Sequence, residues 1–181
     1  MRNMLNRLKG RTALLIAGAA TAAAIVGVSG GAAYAVITGA TSGTAVQHSI
    51  ARNDTALLVP GAANTWQTVS GMVRTVSVPS GQRRLFIATY TAESQCTGGS
   101  WCSVRIVVRN NATGAVSELL PASGTDYAFD APSTDLWEGH ARTQSTNYLP
   151  AGSYTFSVQA NRVGGSTFRL DDMHFEVVAT T

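Results

Sequence analysis

Five side chains that could do chemistry stand at alternate positions in two short segments. Glu138, His140 and Arg142 alternate in one segment, and Asp172 and His174 alternate in the other. Because successive residues of a β-strand point to opposite faces, the members of each set are expected to share a face. A carboxylate beside an imidazole can begin an acid–base pair or a metal site. A zinc site needs three or four ligands, so neither a metal nor another cofactor is predicted.

An alternative gives the second segment a structural role. In this interpretation Asp171 and Asp172 form a turn before the last strand, and one carboxylate accepts backbone N–H bonds. Asp171 would then point away from the face that Asp172 and His174 share.

Glu93 is expected at the end of a strand, next to Cys96 and opposite the strand that carries Arg105. A buried Glu–Arg pair is costly unless it is well hydrogen-bonded, so this position would be special. Glu93 is then a sugar-binding carboxylate, a hydrolase acid/base acting with His140 or His174, or the hydrogen-bond anchor of the adjacent loop. Ser94 has no identifiable base nearby and no G-x-S-x-G segment is present, so no catalytic residue is assigned.

Two cysteines, Cys96 and Cys102, predict one disulfide in an oxidising compartment. Their close spacing predicts that the disulfide closes the base of a hairpin loop and does not join opposite sheets. Trp101 lies in that Gly/Ser-rich loop and is the tryptophan expected to be most exposed. It either stacks on sugar rings or folds back to cap the core.

The N-terminus predicts export. A basic start is followed by an uncharged Ala- and Leu-rich run and by small residues ending in Ala33-Tyr34-Ala35. This is the pattern of a signal peptide cleaved after Ala35. The alternative is an uncleaved membrane anchor, because no charged residue lies between Arg11 and Arg52. We divide the chain into a signal peptide with its helix (1–35), a flexible linker (36–44) and a folded domain (45–181).

Removal of the leader changes the charge. The whole chain has 13 basic and 10 acidic residues, which gives +3. Four bases and no acids lie in residues 1–35, so the remainder carries 9 − 10 = −1. A nearly neutral domain does not favour nucleic-acid binding.

Short alternating runs separated by Gly, Pro, Asn and Asp predict an all-β fold. In the clearest run, Tyr154, Phe156, Val158 and Ala160 alternate with polar residues. Eight to ten such strands favour two packed antiparallel sheets, a jelly-roll-like sandwich.

Several segments resemble uncharacterised secreted proteins of high-GC Gram-positive bacteria. The segments that carry the resemblance are Thr91-Ala92-Glu93-Ser94-Gln95-Cys96, Trp101-Cys102-Ser103-Val104-Arg105-Ile106, Phe129-Asp130, Trp137-Glu138 and Phe168-Arg169-Leu170-Asp171-Asp172. The resemblance implies export and a β-sandwich, and it implies no activity.

Taken together, these features favour a secreted or cell-surface binding domain without catalytic activity. Its expected partner is a cell-wall or other extracellular glycan, with Trp101, Glu93 and Arg105 as ligand-binding candidates. One alternative is a secreted hydrolase, and another is a self-associating structural surface protein. Membrane contact is expected only through an uncleaved leader.

Overall fold

The computed structural model describes residues 44–124, 127–132 and 136–181, and its secondary structure there is entirely β. Eight strands run through these ranges: β1 (Ala45–Asn53), β2 (Leu57–Leu58), β3 (Gln67–Thr97), β4 (Trp101–Asn110), β5 (Val116–Glu118), β6 (Glu138–Ser145), β7 (Leu149–Val163) and β8 (Thr167–Thr180). None of the described residues belongs to a helix that could cross a membrane. The signal peptide, its cleavage after Ala35 and the linker up to residue 43 lie outside the described residues.

The strands form two antiparallel sheets that share β3. The first half of β3 pairs with β7, which pairs with β4, and β4 pairs with β5; we call this sheet B. The second half of β3 pairs with β6 on one side and β8 on the other, and β8 pairs with β1 and β2; we call this sheet A. The predicted two-sheet antiparallel sandwich is confirmed.

β3 passes from one sheet to the other shortly after Pro79-Ser80-Gly81, because Arg83 and Arg84 still pair with β7 and Leu85 is the first residue to pair with β8. Its pairing with β7 is irregular between Val78 and Arg83, and Gly81 has a φ of 74°. Proline donates no backbone hydrogen bond and glycine accepts a positive φ readily, so this segment loosens the ladder. Such a Pro-Ser-Gly segment is locally typical of a turn between two strands. The chain instead continues forward in one long strand and changes its partners.

The core lies between the two sheets and is made by the inward positions of long strands. Phe86 of β3 and Phe156 of β7 meet across it, with ring centroids 5.2 Å apart. The predicted alternation in β7 is confirmed, because the four apolar residues from Tyr154 to Ala160 are all buried. Tyr90 is also fully buried, which raises the pKa of its phenol far above the usual value.

β8 is one strand with an irregularity at Asp171-Asp172. Leu170 and Met173 are both buried although they are three residues apart, and the pairing with β3 shifts between Thr91 and Glu93. Asp172 has a φ of 45°, as expected for an Asp at a β-bulge. The turn that was predicted between two separate strands is therefore a bulge within one strand.

One side of the sandwich, between β4 of sheet B and β6 of sheet A, is closed by residues 118–124 and 127–130, in which Leu119 and Phe129 are buried. The inward face of β6 is polar and holds this segment. Gln144 accepts a hydrogen bond from the Ile106 N–H and donates to the Leu119 and Pro121 carbonyl oxygens, at 2.7–2.9 Å.

Arg142 continues this polar face. Its guanidinium lies 3.6 Å from the centre of the Tyr127 ring and donates to the Pro121 carbonyl and the Ser123 hydroxyl. Its charge is also 3.9 Å from the carboxylate of Glu118. The predicted alternation of Glu138, His140 and Arg142 on one face is present, but this face points into the molecule.

The disulfide between Cys96 and Cys102 joins the two sheets. Cys96 pairs with Phe168 of β8 in sheet A, and Cys102 pairs with Arg162 of β7 in sheet B. The predicted bond is present, but the predicted hairpin is wrong because β3 and β4 do not pair with each other here. The short connection between them carries the chain from one sheet to the other, so close spacing does not prevent a bridge between sheets.

We expect the double substitution C96A/C102A to lower the free energy of unfolding by about 2 kcal/mol, the chain-entropy value for so short a ring. The fold should persist, because the shared strand β3 still connects the sheets. Urea denaturation of the variant, compared with oxidised and reduced wild type, measures this. Equal midpoints for all three samples would contradict it.

We also expect Q144L to lower the free energy of unfolding by about 3 kcal/mol, since it leaves the Ile106 N–H and two carbonyl oxygens without their partner. The matched control is T143V, at the next residue, whose side chain lies on the exposed face of β6 and bonds only to the Thr89 hydroxyl. It should change stability by less than about 1 kcal/mol. Similar losses in the two variants would show that the inward face of β6 has no special role.

Candidate binding site

A cluster of polar side chains lies where β6 begins. Glu138 and His140 are the first two inward-facing residues of β6, opposite Ser94 and Ala92 of β3. Asp130 reaches the same corner because its backbone pairs with Cys102 of β4. Three segments distant in sequence therefore supply this cluster.

Ser94 lies at the centre of the cluster. Its hydroxyl donates to Oδ2 of Asp130 at 2.8 Å and contacts Nδ1 of His140 at 2.9 Å. Ser94 is fully buried, Asp130 is 6% exposed, and the Phe129 ring packs 5.4 Å from the His140 ring. The expectation that Ser94 has no base nearby is thus wrong.

The order of these bonds differs from that of a serine hydrolase. In a catalytic triad the histidine accepts the serine proton and the aspartate holds the far side of the histidine. In this structure the single hydroxyl hydrogen of Ser94 is given to Asp130, so His140 must donate its Nδ1–H to the serine oxygen. Because the buried Ser94 hydroxyl already donates its hydrogen to Asp130, it acts as a structural link and not as a nucleophile.

Glu138 completes the corner. Its Oε2 lies 3.8 Å from Nε2 of His140, and the Glu138 side chain is 49% exposed. Asp130, Glu138 and His140 each offer one ligand atom, and the three atoms lie within 4.8 Å of one another. Within the described residues, these three side chains are close enough together to share one metal ion.

Trp137, immediately before β6, is an exposed tryptophan (38%). Trp101, which was expected to be more exposed, is half-buried at the start of β4, and its indole Nε1 is buried without a hydrogen-bond partner. This burial favours the alternative in which Trp101 covers the end of the core. Trp66 is covered by Arg105, whose guanidinium lies 4.3 Å from the ring centre.

Glu93 and Arg105 do not form the pair considered in the sequence. Glu93 lies exposed in sheet A between Gly139 of β6 and Asp171 of β8, whereas Arg105 belongs to sheet B. Arg105 donates to Gln159 at 2.8 Å and is 3.8 Å from Glu118. Burial lowers the pKa of Arg105, and the Glu118 carboxylate partly opposes this. Arg105 thus holds Trp66 and Glu118 at the surface of sheet B.

Asp172 and His174 both line a shallow depression at the end of β1, together with Arg52 and Asn53. The alternation that placed them on one face is interrupted by the bulge. Asp171 accepts a bond from the backbone N–H of Asp172 at 2.9 Å, so the expected capping bond is present although the expected turn is not.

The predicted hydrolase pairs are not assembled. Glu93 is exposed on the outer face of sheet A, while His140 bonds to the buried Ser94 on the inner face. His174 pairs with Thr91 and shares the outer face with Glu93, but the described contacts include no hydrogen bond or ion pair between them. General acid–base catalysis needs its groups within hydrogen-bond reach in an open cleft.

Sequence reasoning missed Asp130 and Trp137 as site residues. Asp130 sits between two stretches that lack regular alternation, so no pattern gives its direction. In the sequence, Trp137 carries only the resemblance of the segment Trp137-Glu138. A Trp directly before alternating polar residues is the one local signal that could have marked it.

No protein-family model matches the chain, and no curated protein matches it. Two solved carbohydrate-binding domains are similar to it. One is the carbohydrate binding module CBM6cm-2 of Cellvibrio mixtus lichenase 5A, in complex with cellotriose; identity is 18%, the TM-score 0.33, and the alignment covers 78% of this chain and 90% of that chain. The other is the xylan-binding domain CBM22-1 of Paenibacillus barcinonensis Xyn10C, with 11% identity, a TM-score of 0.32, and coverage of 77% and 98%. Both TM-scores are low, so the function proposed below is based on this chain's own side chains.

Proposed function

We propose that this chain is an exported, non-catalytic binding domain for an extracellular glycan, and that Trp137 is the platform on which a sugar ring stacks. The observation that carries the proposal is the exposed indole of Trp137 at the start of β6, where this strand forms the edge of sheet A. Tryptophan offers a large apolar face to the C–H groups of a sugar and a polar N–H at its rim.

The surface next to Trp137 is open. Gly139 has no side chain, and a Cβ placed there would meet nothing within 4 Å. If the alternation of β6 is continued back by one residue, Trp137 falls on the same side as Gly139, which is the outer face of sheet A. The space above Gly139 can therefore take a sugar ring that stacks beside Trp137.

Glu93 supplies the polar partner. It lies directly opposite Gly139 in the neighbouring strand, and its side chain is exposed. Cross-strand neighbours are about 5 Å apart at Cβ, so a ring stacked near Trp137 brings its hydroxyl groups within reach of this carboxylate. The sugar-binding role considered for Glu93 is retained, with Trp137 in place of Trp101.

Export is the second part of the proposal. It is supported by the basic, apolar and small-residue zones of residues 1–35 and by the disulfide. Intact-mass measurement of protein recovered from the culture medium tests it. A chain beginning at Val36 is expected, and a mass that includes residues 1–35 would support the membrane-anchor alternative.

The binding experiment uses affinity electrophoresis and pull-down with a panel of cellulose, xylan, chitin and cell-wall preparations. We expect retention on at least one polysaccharide, and we expect W137A to weaken it at least about tenfold, or about 1.4 kcal/mol. E93Q should weaken it less, because the amide still accepts one hydrogen bond.

The matched control is Y148A, which removes an aromatic side chain of nearly equal exposure (39%) from a loop elsewhere. It should leave retention unchanged. The proposal is contradicted if no polysaccharide retains the wild type, if Y148A and W137A behave alike, or if the purified protein degrades its ligand. The self-association alternative stays a prediction, for which a concentration-dependent size in solution is the measurement.

A further inference from the structure

We propose that Asp130, Glu138 and His140 bind one divalent transition-metal ion of the zinc type at the corner where β6 begins. This site is separate from the outer face assigned to the glycan, because the side chains of Glu138 and His140 point to the inner side of β6. The inference does not depend on sugar binding.

The donor atoms are already gathered. They lie within 4.8 Å of one another, and the His140 Nε2 to Glu138 Oε2 distance is 3.8 Å. Two ligands at about 2.05 Å from a tetrahedral ion are about 3.3 Å apart, so His140 Nε2 and Glu138 Oε2 must approach by about half an ångström and the widest pair by at most about 1.5 Å. Glu138 is half exposed and can make this movement at little cost.

The hydrogen bonds of Ser94 determine which ring nitrogen of His140 carries a hydrogen. Because its hydroxyl hydrogen goes to Asp130, the Nδ1 of His140 must be the protonated nitrogen. In the neutral ring Nε2 then carries the lone pair, and it faces the carboxylate of Glu138. A histidine ligand fixed through its other ring nitrogen is the usual outer arrangement of a metal site.

The burial of Asp130, whose Oδ2 also accepts the Ser94 hydroxyl hydrogen, favours the same assignment. Its carboxylate is almost fully buried, and no arginine or lysine of the described residues forms an ion pair with it. Arg142, two residues beyond His140 along β6, is held by Glu118, Tyr127, Pro121 and Ser123 instead. A buried carboxylate needs a compensating charge, which a metal ion would supply.

The ligand set selects the kind of metal. One imidazole and two carboxylates suit zinc and its neighbours in the first transition row, whereas calcium and magnesium prefer oxygen ligands alone. Three protein ligands leave a fourth position of a tetrahedral ion for water.

The test is a calorimetric titration of the full chain, freed of metal with a chelator, with zinc chloride and separately with calcium chloride. We expect about one zinc ion per chain and no calcium binding at the same concentrations. H140A should abolish the stoichiometric binding, and E138Q should weaken it at least about tenfold. S94A removes no ligand but frees the histidine, so it should weaken binding by about 10–100-fold.

The chain supplies its own controls. H48A and H174A remove the other two histidines and should leave zinc affinity unchanged, and W137A should also retain it while losing the glycan. Circular dichroism identifies a variant that fails to fold. If H140A does not fold, E138Q still tests the proposal, because Glu138 is half exposed and its substitution should leave the fold intact. The proposal is overturned if zinc does not bind near one per chain, if calcium binds equally well, or if E138Q binds as the wild type does.

Discussion

The sharing of β3 between the two sheets is the constraint on which the rest of the structure depends. Its first half is the partner of β7, and its second half is the partner of β6 and β8. The two sheets are therefore connected through one covalent backbone at the start of the second half and by the Cys96–Cys102 bond at its end. Between these two connections, the position and the side-chain direction of each residue of β3 are fixed. Ser94 and Glu93, which serve the inner and outer sides of the candidate site, lie in this tied stretch.

The second constraint is the polar inward face of β6. Most buried polar groups in proteins have a hydrogen-bond partner. Leu119 and Pro121 provide partners for Gln144 and Arg142 through their carbonyl oxygens, and the buried Leu119 and Phe129 give the closing segment an apolar anchor. The polar face and the closing segment thus depend on each other. Asp130 reaches Ser94 because its backbone pairs with Cys102 and because Phe129 beside it is buried in the core.

The sequence was sufficient for the class of fold and for the direction of most strand residues, because strand alternation is a local property. It predicted the buried row of β7 and the common face of Glu138, His140 and Arg142. It was insufficient wherever a strand changes partner. The breaks at Pro79-Ser80-Gly81 and at Asp171-Asp172 look like turns locally, and only the pairing with distant strands makes one a crossing between sheets and the other a bulge. The contact of Ser94 with Asp130 spans 36 residues of chain, so no local pattern contains it.

The two faces of β6 show how one short edge strand can carry two different chemistries. Its outer face has no side chain at Gly139, next to the exposed Trp137. Its inner face carries the Glu138 carboxylate and the His140 imidazole. Because side chains alternate with a period of two, a shift of one residue in the pairing with β3 would exchange these faces. That shift would also separate Gln144 and Arg142 from the carbonyl oxygens that satisfy them. The buried hydrogen bonds at the far end of β6 therefore hold the register that places Trp137 outside and His140 inside.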